Sequence, residues 1–150
     1  LLLCGNGGSA ADSQHIATEL VVRMGQVRPG IQAIALTTDT SLMTAMTNDY
    51  SFDRVFSRQI ETLGQPNDVV LGISTSGNSP NVISAAKTAR NKGMKFIVFT
   101  GKTGGALKDL SDVVIQVASD DTQHIQEAHI TIGHILCGII EQSLYPEYFE

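Results

Sequence analysis

Two short stretches of this chain bring together the groups that hold anions. Gly5-Asn6-Gly7-Gly8-Ser9 follows an apolar run and leads into a helical pattern, so free amides and a hydroxyl gather at the positive end of a helix. Ser74-Thr75-Ser76-Gly77-Asn78-Ser79-Pro80 does the same with four hydroxyls in six residues. Ser79 and Pro80 suit an N-cap and a first helical residue, which leaves Ser74, Thr75 and Ser76 without a structural task. In a parallel sheet the loops at the carboxyl ends of strands share one edge, so Ser9 and this cluster can converge on one phosphate with no lysine. Two plainer readings stand beside this one. Gly5-x-Gly7-x-x-Ala10 satisfies the dinucleotide fingerprint, although no acidic residue ends the second strand and Asp39 comes too late. The glycines can also serve a tight turn and nothing more.

A second group of residues suits proton transfer or metal binding. His15 and Glu19 are four residues apart on a helical stretch, so they share a face and can bind one cation or act on one substrate. A solvated helix pair has the same spacing. Further along, Gln126, His129 and His134 fall on one long apolar helix. His134 stands among Ile132, Gly133, Ile135 and Leu136, where an imidazole needs a partner; a satisfied core histidine is the structural alternative.

These groups must be positioned by strands that end, and helices that begin, at the two loops. Short Val-, Ile-, Leu- and Phe-rich runs predict five strands at 1–4, 31–36, 69–73, 96–100 and 113–117. Helices are expected at 10–24, 41–47, 52–63, 80–92 and 125–144. Alternating elements with unbroken apolar strands predict a parallel sheet covered on both faces. In the last helix Ile125, Ala128, Ile132, Ile135 and Ile139 step by threes and fours, predicting a continuous apolar stripe against the fold. The expectation is an α/β chain forming one domain over 1–150, a three-layer αβα sandwich with a five-stranded parallel sheet.

Composition narrows the function. Lys and Arg number 10 against 15 Asp and Glu, a net charge of −5, so the broad cationic face of a nonspecific nucleic-acid binder is absent and anions must be caught locally. With 42% hydrophobic and 17% charged residues the chain is globular rather than disordered. No apolar run approaches the roughly 20 residues of a membrane span. Cys4 and Cys137 alone support neither a disulfide framework nor a cysteine metal motif, which fits a reducing cytoplasm. The opening Leu1-Leu2-Leu3 runs straight into the first loop without a signal peptide, so a preceding segment is expected.

Taken together, several motifs resemble a known family. Gly5 to Ser9, His15-x-x-x-Glu19, Arg28-Pro29-Gly30, Asn48-Asp49, Ser57-Arg58-Gln59, Ser74 to Ser79, Gly93-Met94 and Ile125-Gln126-Glu127-x-His129-x-x-x-x-His134 occur in the order found in bacterial phosphoheptose isomerases, of the sugar isomerase (SIS) fold. The resemblance covers nearly the whole chain. It implies a SIS domain, with a helical segment before the first strand that helps build a homotetramer. It further implies that Ser9, Ser74, Thr75, Ser76 and Ser79 hold a phosphate. Asn6, Gly7, Gly8, Glu19, Asn48, Asp49 and Gln126 would line the sugar, and His15, Glu19, Gln126 and His134 would ligate one zinc ion per subunit. Gln126 and His134 are eight residues apart. That is a rise of about 12 Å on one helix, so a late helix start or sites shared between subunits is expected.

The activity so implied converts sedoheptulose 7-phosphate to D-glycero-D-manno-heptose 7-phosphate, for the lipopolysaccharide core, by moving a proton between adjacent carbons through an enediol. Glu19 is then the best general base and His134 the best acid. Zinc would polarise the oxygens. A noncatalytic SIS-fold protein, either of the type that associates with the bacterial replication initiator or a sugar-phosphate sensor, is the alternative. Retention of Glu19 and His134 argues against it. An isomerase for another phosphosugar also fits the loops, which carry no information on carbon count.

Overall fold

The computed structural model describes residues 1–149. Five strands, β1 (Leu2–Gly5), β2 (Ile34–Ala35), β3 (Val69–Ser74), β4 (Lys95–Thr100) and β5 (Val113–Gln116), form one parallel sheet in the order β2-β1-β3-β4-β5. The helices are α1 (Gly8–Val21), α2 (Thr40–Asp49), α3 (Ser57–Leu63), α4 (Pro80–Asn91) and α5 (Thr122–Leu144). This is the expected three-layer α/β architecture.

Alternation along each strand builds the two faces, because successive side chains point to opposite sides. Leu2, Cys4, Val70, Phe96 and Val98 face a core filled by Ile60 of α3, Val82, Ala85 and Ala89 of α4, and Met43 of α2. Leu3, Leu71, Ile73 and Phe99 face Ile16, Ala17 and Leu20 of α1 and Cys137 of α5. Burial of both faces explains the unbroken apolar runs. The sheet order reverses direction between β1 and β3, and the crevice outside the carboxyl ends of those two strands is where open α/β sheets bind ligands. The glycine-rich and the hydroxyl-rich loop both begin there.

Four local expectations are corrected. The second strand shrinks to Ile34–Ala35, since it is a sheet edge pairing only with β1. The helix expected over 52–63 breaks into a 3-10 turn, Phe52–Arg54, followed by α3. The apolar stripe expected along the last helix is displaced: Ile135 and Ile139 are 57% and 53% exposed, and the buried line is Ile125, His129, Gly133, Cys137 and Glu141. Close approach of α1 decides this, because a Cβ at Gly133 would collide with Ile16. Finally, α5 does not start late. Gln126 and His134 lie on one unbroken helix.

Candidate active site

The first loop leaves α1 with an open amino end. Gly7 is its N-cap at φ 56°, a backbone region that glycine enters without strain, and no side chain bonds the first-turn amides. In α4 the N-cap Ser79 also makes no side-chain capping bond, its hydroxyl lying 2.9 Å from that of Ser74 instead, although the Asn81 carboxamide oxygen accepts from Val82 N–H in the first turn at 3.0 Å. By contrast α2 and α5 are capped by the carboxylates of Asp39 and Asp121. Both helices that start at the switch point, like the short α3, thus lack an N-cap side-chain bond, and their positive ends suit an anion.

The hydroxyl loop is held from behind. Gly77, at φ 66°, packs so tightly on Gly104 that a Cβ would meet its backbone. Gly101 and Leu107 donate their N–H groups to the carbonyls of Thr75 and Gly77, and the Asn78 carboxamide oxygen accepts from Ala106 N–H at 2.9 Å. Ser76 Oγ accepts from Asn78 N–H at 3.1 Å and keeps its own proton to donate. A polar cleft of about 320 Å³ opens beside Thr75 and Ser76, walled by Lys102, Ser119 and Asp120. Lys102, absent from the sequence reading, approaches because β4 pairs with β3, and its Nζ is held 3.0 Å from Asp120 Oδ2. Ser76→Ala combined with Ser79→Ala should raise KM for a phosphosugar at least about tenfold, since each lost hydrogen bond to a charged group costs roughly 1.5 to 3 kcal/mol. Steady-state kinetics of the folded double variant checks this, and an unchanged KM moves the phosphate elsewhere.

One face of α1 carries the second group. Gly8, Asp12, His15 and Glu19 follow helical spacing and look toward α5. At the start of this face, the missing side chain of Gly8 makes room for the Gln126 carboxamide. Farther along, His15 Nε2 lies 2.9 Å from His134 Nε2 and 3.2 Å from Glu19 Oε1. His15, Glu19 and His134 present ligand atoms within 4.8 Å of one another, the one such grouping of His, Cys, Asp and Glu among the described residues.

Two imidazole nitrogens and a carboxylate oxygen converging on one point fit a cation, and three such protein ligands with a position left open is the donor set of catalytic zinc sites. Two ring nitrogens facing each other this closely otherwise need a shared proton. Asp12 lies between the two ends of the face, with one carboxylate oxygen buried and without a hydrogen-bond partner. Burial raises its pKa above the ordinary range, and the nearby His15 opposes the rise.

The remaining expected residues take different places. His134 is not a core histidine: its contact with His15 is exposed. His129 is the core histidine, fully buried, donating from Nε2 to the Thr100 carbonyl at 3.1 Å and held below its ordinary pKa by burial. The Asn6 side chain is engaged in a reciprocal pair with Asn81 at 2.9 and 2.8 Å, which ties the first loop to α4. Ser9 is buried, and its carbonyl accepts from Ser13 Oγ at 2.8 Å. Asn48 and Asp49, at the end of α2, are exposed and bond each other at 2.9 Å. Asp12 had a usable signal in its helical spacing from His15, and Asn81 and Lys102 had none.

Comparison with known proteins gives a consistent picture. The SIS domain family matches residues 1–101. A phosphoheptose isomerase of Roseiflexus sp. (strain RS-1) is 57% identical over 147 residues, spanning 98% of this chain and 75% of that protein. One from Burkholderia pseudomallei (strain K96243) is 52% identical over 145 residues, 97% of this chain and 74% of that protein. Among solved structures, the phosphoheptose isomerase of Neisseria gonorrhoeae superposes with a TM-score of 0.89 at 48% identity, covering 94% of this chain and 75% of that one. The Francisella tularensis structure gives 0.91 at 42% identity with the same coverage.

Proposed function

Because the chain belongs to the phosphoheptose isomerase family of SIS-domain proteins, and so is an aldose-ketose isomerase that converts sedoheptulose 7-phosphate to D-glycero-D-manno-heptose 7-phosphate in heptose biosynthesis, we propose that the groups at the α1–α5 crossing do this chemistry. The observation that carries the reading is the convergence of His15, Glu19 and His134 on the face of α1 that begins at its uncapped amino end. The phosphate docks on Ser74, Thr75, Ser76 and Ser79 and on the open ends of α1 and α4, with Ser9 and the amides of Gly7 and Gly8 beneath it. That grip lies away from the reacting carbons and holds the open-chain sugar in register. The Glu19 carboxylate takes the proton from one carbon and returns it to its neighbour, passing through an enediol. His134 exchanges protons with the sugar oxygens. Asn6, Asn48, Asp49 and Gln126 contact the sugar.

His15, Glu19 and His134 would hold one zinc ion; Gln126, expected from the resemblance as a fourth donor, sits about 12 Å from His134 along the unbroken α5, beside Gly8, and is left to the sugar. Zinc supplies Lewis-acid polarisation of the sugar oxygens when bound. The purified protein should isomerise sedoheptulose 7-phosphate, lose turnover on treatment with a chelator and recover it with Zn²⁺. Turnover indifferent to chelation would remove the metal from the reading.

We read residues 1–150 as a single domain acting in the cytoplasm; no helix among the described residues is long and apolar enough to cross a membrane. A homotetramer with sites bordering subunit interfaces is supported by Ile135 and Ile139, which stay exposed next to His134 on the outer side of α5. Glu19 and His134 meet within one chain, so mixed oligomers of Glu19→Gln and His134→Ala subunits should show no restored activity. A charge at Ile135, as Ile135→Glu, should split the assembly, which sedimentation measures.

A further inference from the structure

Arg28 and Glu141 have no task in the chemistry above, yet they are the only Arg, Lys, Asp or Glu residues buried among the described residues. Their side chains are 0% and 1% exposed. Glu141 Oε1 accepts from Arg28 Nε at 2.9 Å and lies 2.6 Å from Nη2. The same carboxylate accepts the N–H groups of Met24 at 2.9 Å and Gly25 at 3.2 Å. The other side of the guanidinium faces the end of α1: Nη1 donates to the Leu20 carbonyl at 2.6 Å and Nη2 to the Glu19 carbonyl at 2.9 Å. Because α1 ends at Val21, carbonyls in its last turn lack helical donors, and a cation there also suits the helix dipole.

The placement joins the two halves of the site. Glu19 stands in that last turn of α1, and Glu141 follows His134 by seven residues, two turns along α5. We propose that Arg28 and Glu141 are a positioning pair that fixes the axial register of α1 on α5 and thereby the separation of the Glu19 carboxylate from the His134 imidazole. An apolar pair of equal volume would stabilise the fold as well or better. It could not grip two carbonyls of α1 and two amides of the following loop at set positions. The proposal rests on the reading of His15, Glu19 and His134 as the metal and proton-transfer group.

Arg28→Lys is the informative variant, since it keeps the charge and loses the planar fork that reaches Glu141 and both carbonyls together. With an unchanged circular dichroism spectrum, it should keep KM for sedoheptulose 7-phosphate within about twofold and lose at least about tenfold in kcat. Zn²⁺ affinity, titrated on chelator-stripped protein, should also fall at least about tenfold, the usual effect of losing a partner that orients a ligand. Ile60→Val, in the core on the opposite face of the sheet, should lower Tm and leave both quantities at wild-type levels. If Arg28→Lys does not fold, Glu141→Gln takes the same measurements with the same expected result. A folded variant with wild-type zinc affinity and kcat, or an equal loss in Ile60→Val, overturns the proposal and leaves the pair structural. Wild-type protein that binds no zinc and keeps turnover as Glu19→Gln overturns the underlying reading, and the proposal with it.

Discussion

Glu19→Gln should reduce kcat by at least about a hundredfold while KM for sedoheptulose 7-phosphate stays within about twofold of wild type. The substitution keeps size and one hydrogen-bonding oxygen but removes the basic carboxylate, and general acid-base catalysis contributes typically 10² to 10⁴-fold. A hundredfold loss corresponds to about 2.7 kcal/mol of transition-state stabilisation. The loops proposed to hold the phosphate lie at strand ends and helix starts away from Glu19, which is why affinity should survive. Glu19 Oε1 lies 3.2 Å from His15 Nε2, within the group assigned to zinc, so metal content has to be measured on the same sample. Turnover recovered by saturating Zn²⁺ would make Glu19 chiefly a ligand, and a zinc-replete variant with near-normal kcat would take proton transfer away from it.

The largest expected effect on stability is at Arg28→Met. Removing the guanidinium leaves the Glu141 carboxylate buried with only the Met24 and Gly25 amides, and breaking a buried ion pair from one side costs about 3 to 5 kcal/mol. For a domain of this size that is a fall in Tm of about 6 to 20 °C. The pH dependence has a definite sign. Burial alone would raise the Glu141 pKa, but the two amides and Arg28 outweigh it and hold the group below its ordinary value of 4.5. A depressed carboxylate stabilises the folded state above its unfolded pKa and loses that contribution as pH falls through the folded one. The gap in Tm between wild type and Arg28→Met should therefore be full at neutral pH and narrow below pH 4.5 as Glu141 takes up its proton. A constant gap across that range would mean that Arg28 acts through packing alone.

Several features of this site were legible residue by residue. The glycine-rich and hydroxyl-rich loops follow apolar runs and precede helical patterns, and such short-range signals survive folding because strand ends and helix starts are set locally. His15 and Glu19 were placed on one face by helical geometry alone, and the structure keeps them 3.2 Å apart. Less legible was the last helix. Apolar residues occupy most positions from 125 to 140, so the stripe through Ile135 and Ile139 and the one through Gly133 and Cys137 both follow a helical period. Gly133 against Ile16 decides between them. The choice also assigns the histidines, burying His129 under Phe99 and leaving His134 to meet His15.

The α/β class, the order of the strands and helices, and the placing of the glycine-rich and hydroxyl-rich loops could be read from the chain alone, because each depends on the chemistry of neighbouring residues. Tertiary structure decided everything that joins distant residues. His15 meets His134 across 119 positions, Arg28 meets Glu141 across 113, and Asn6 meets Asn81 across 75. Those contacts exist because β1 and β3 are adjacent and because α1 crosses α5 on one face of the sheet. Spacing along the chain does not encode that crossing. Its physical origin is packing, where a missing Cβ at Gly133 lets two helices close on each other and a buried ion pair at their far end holds them in register.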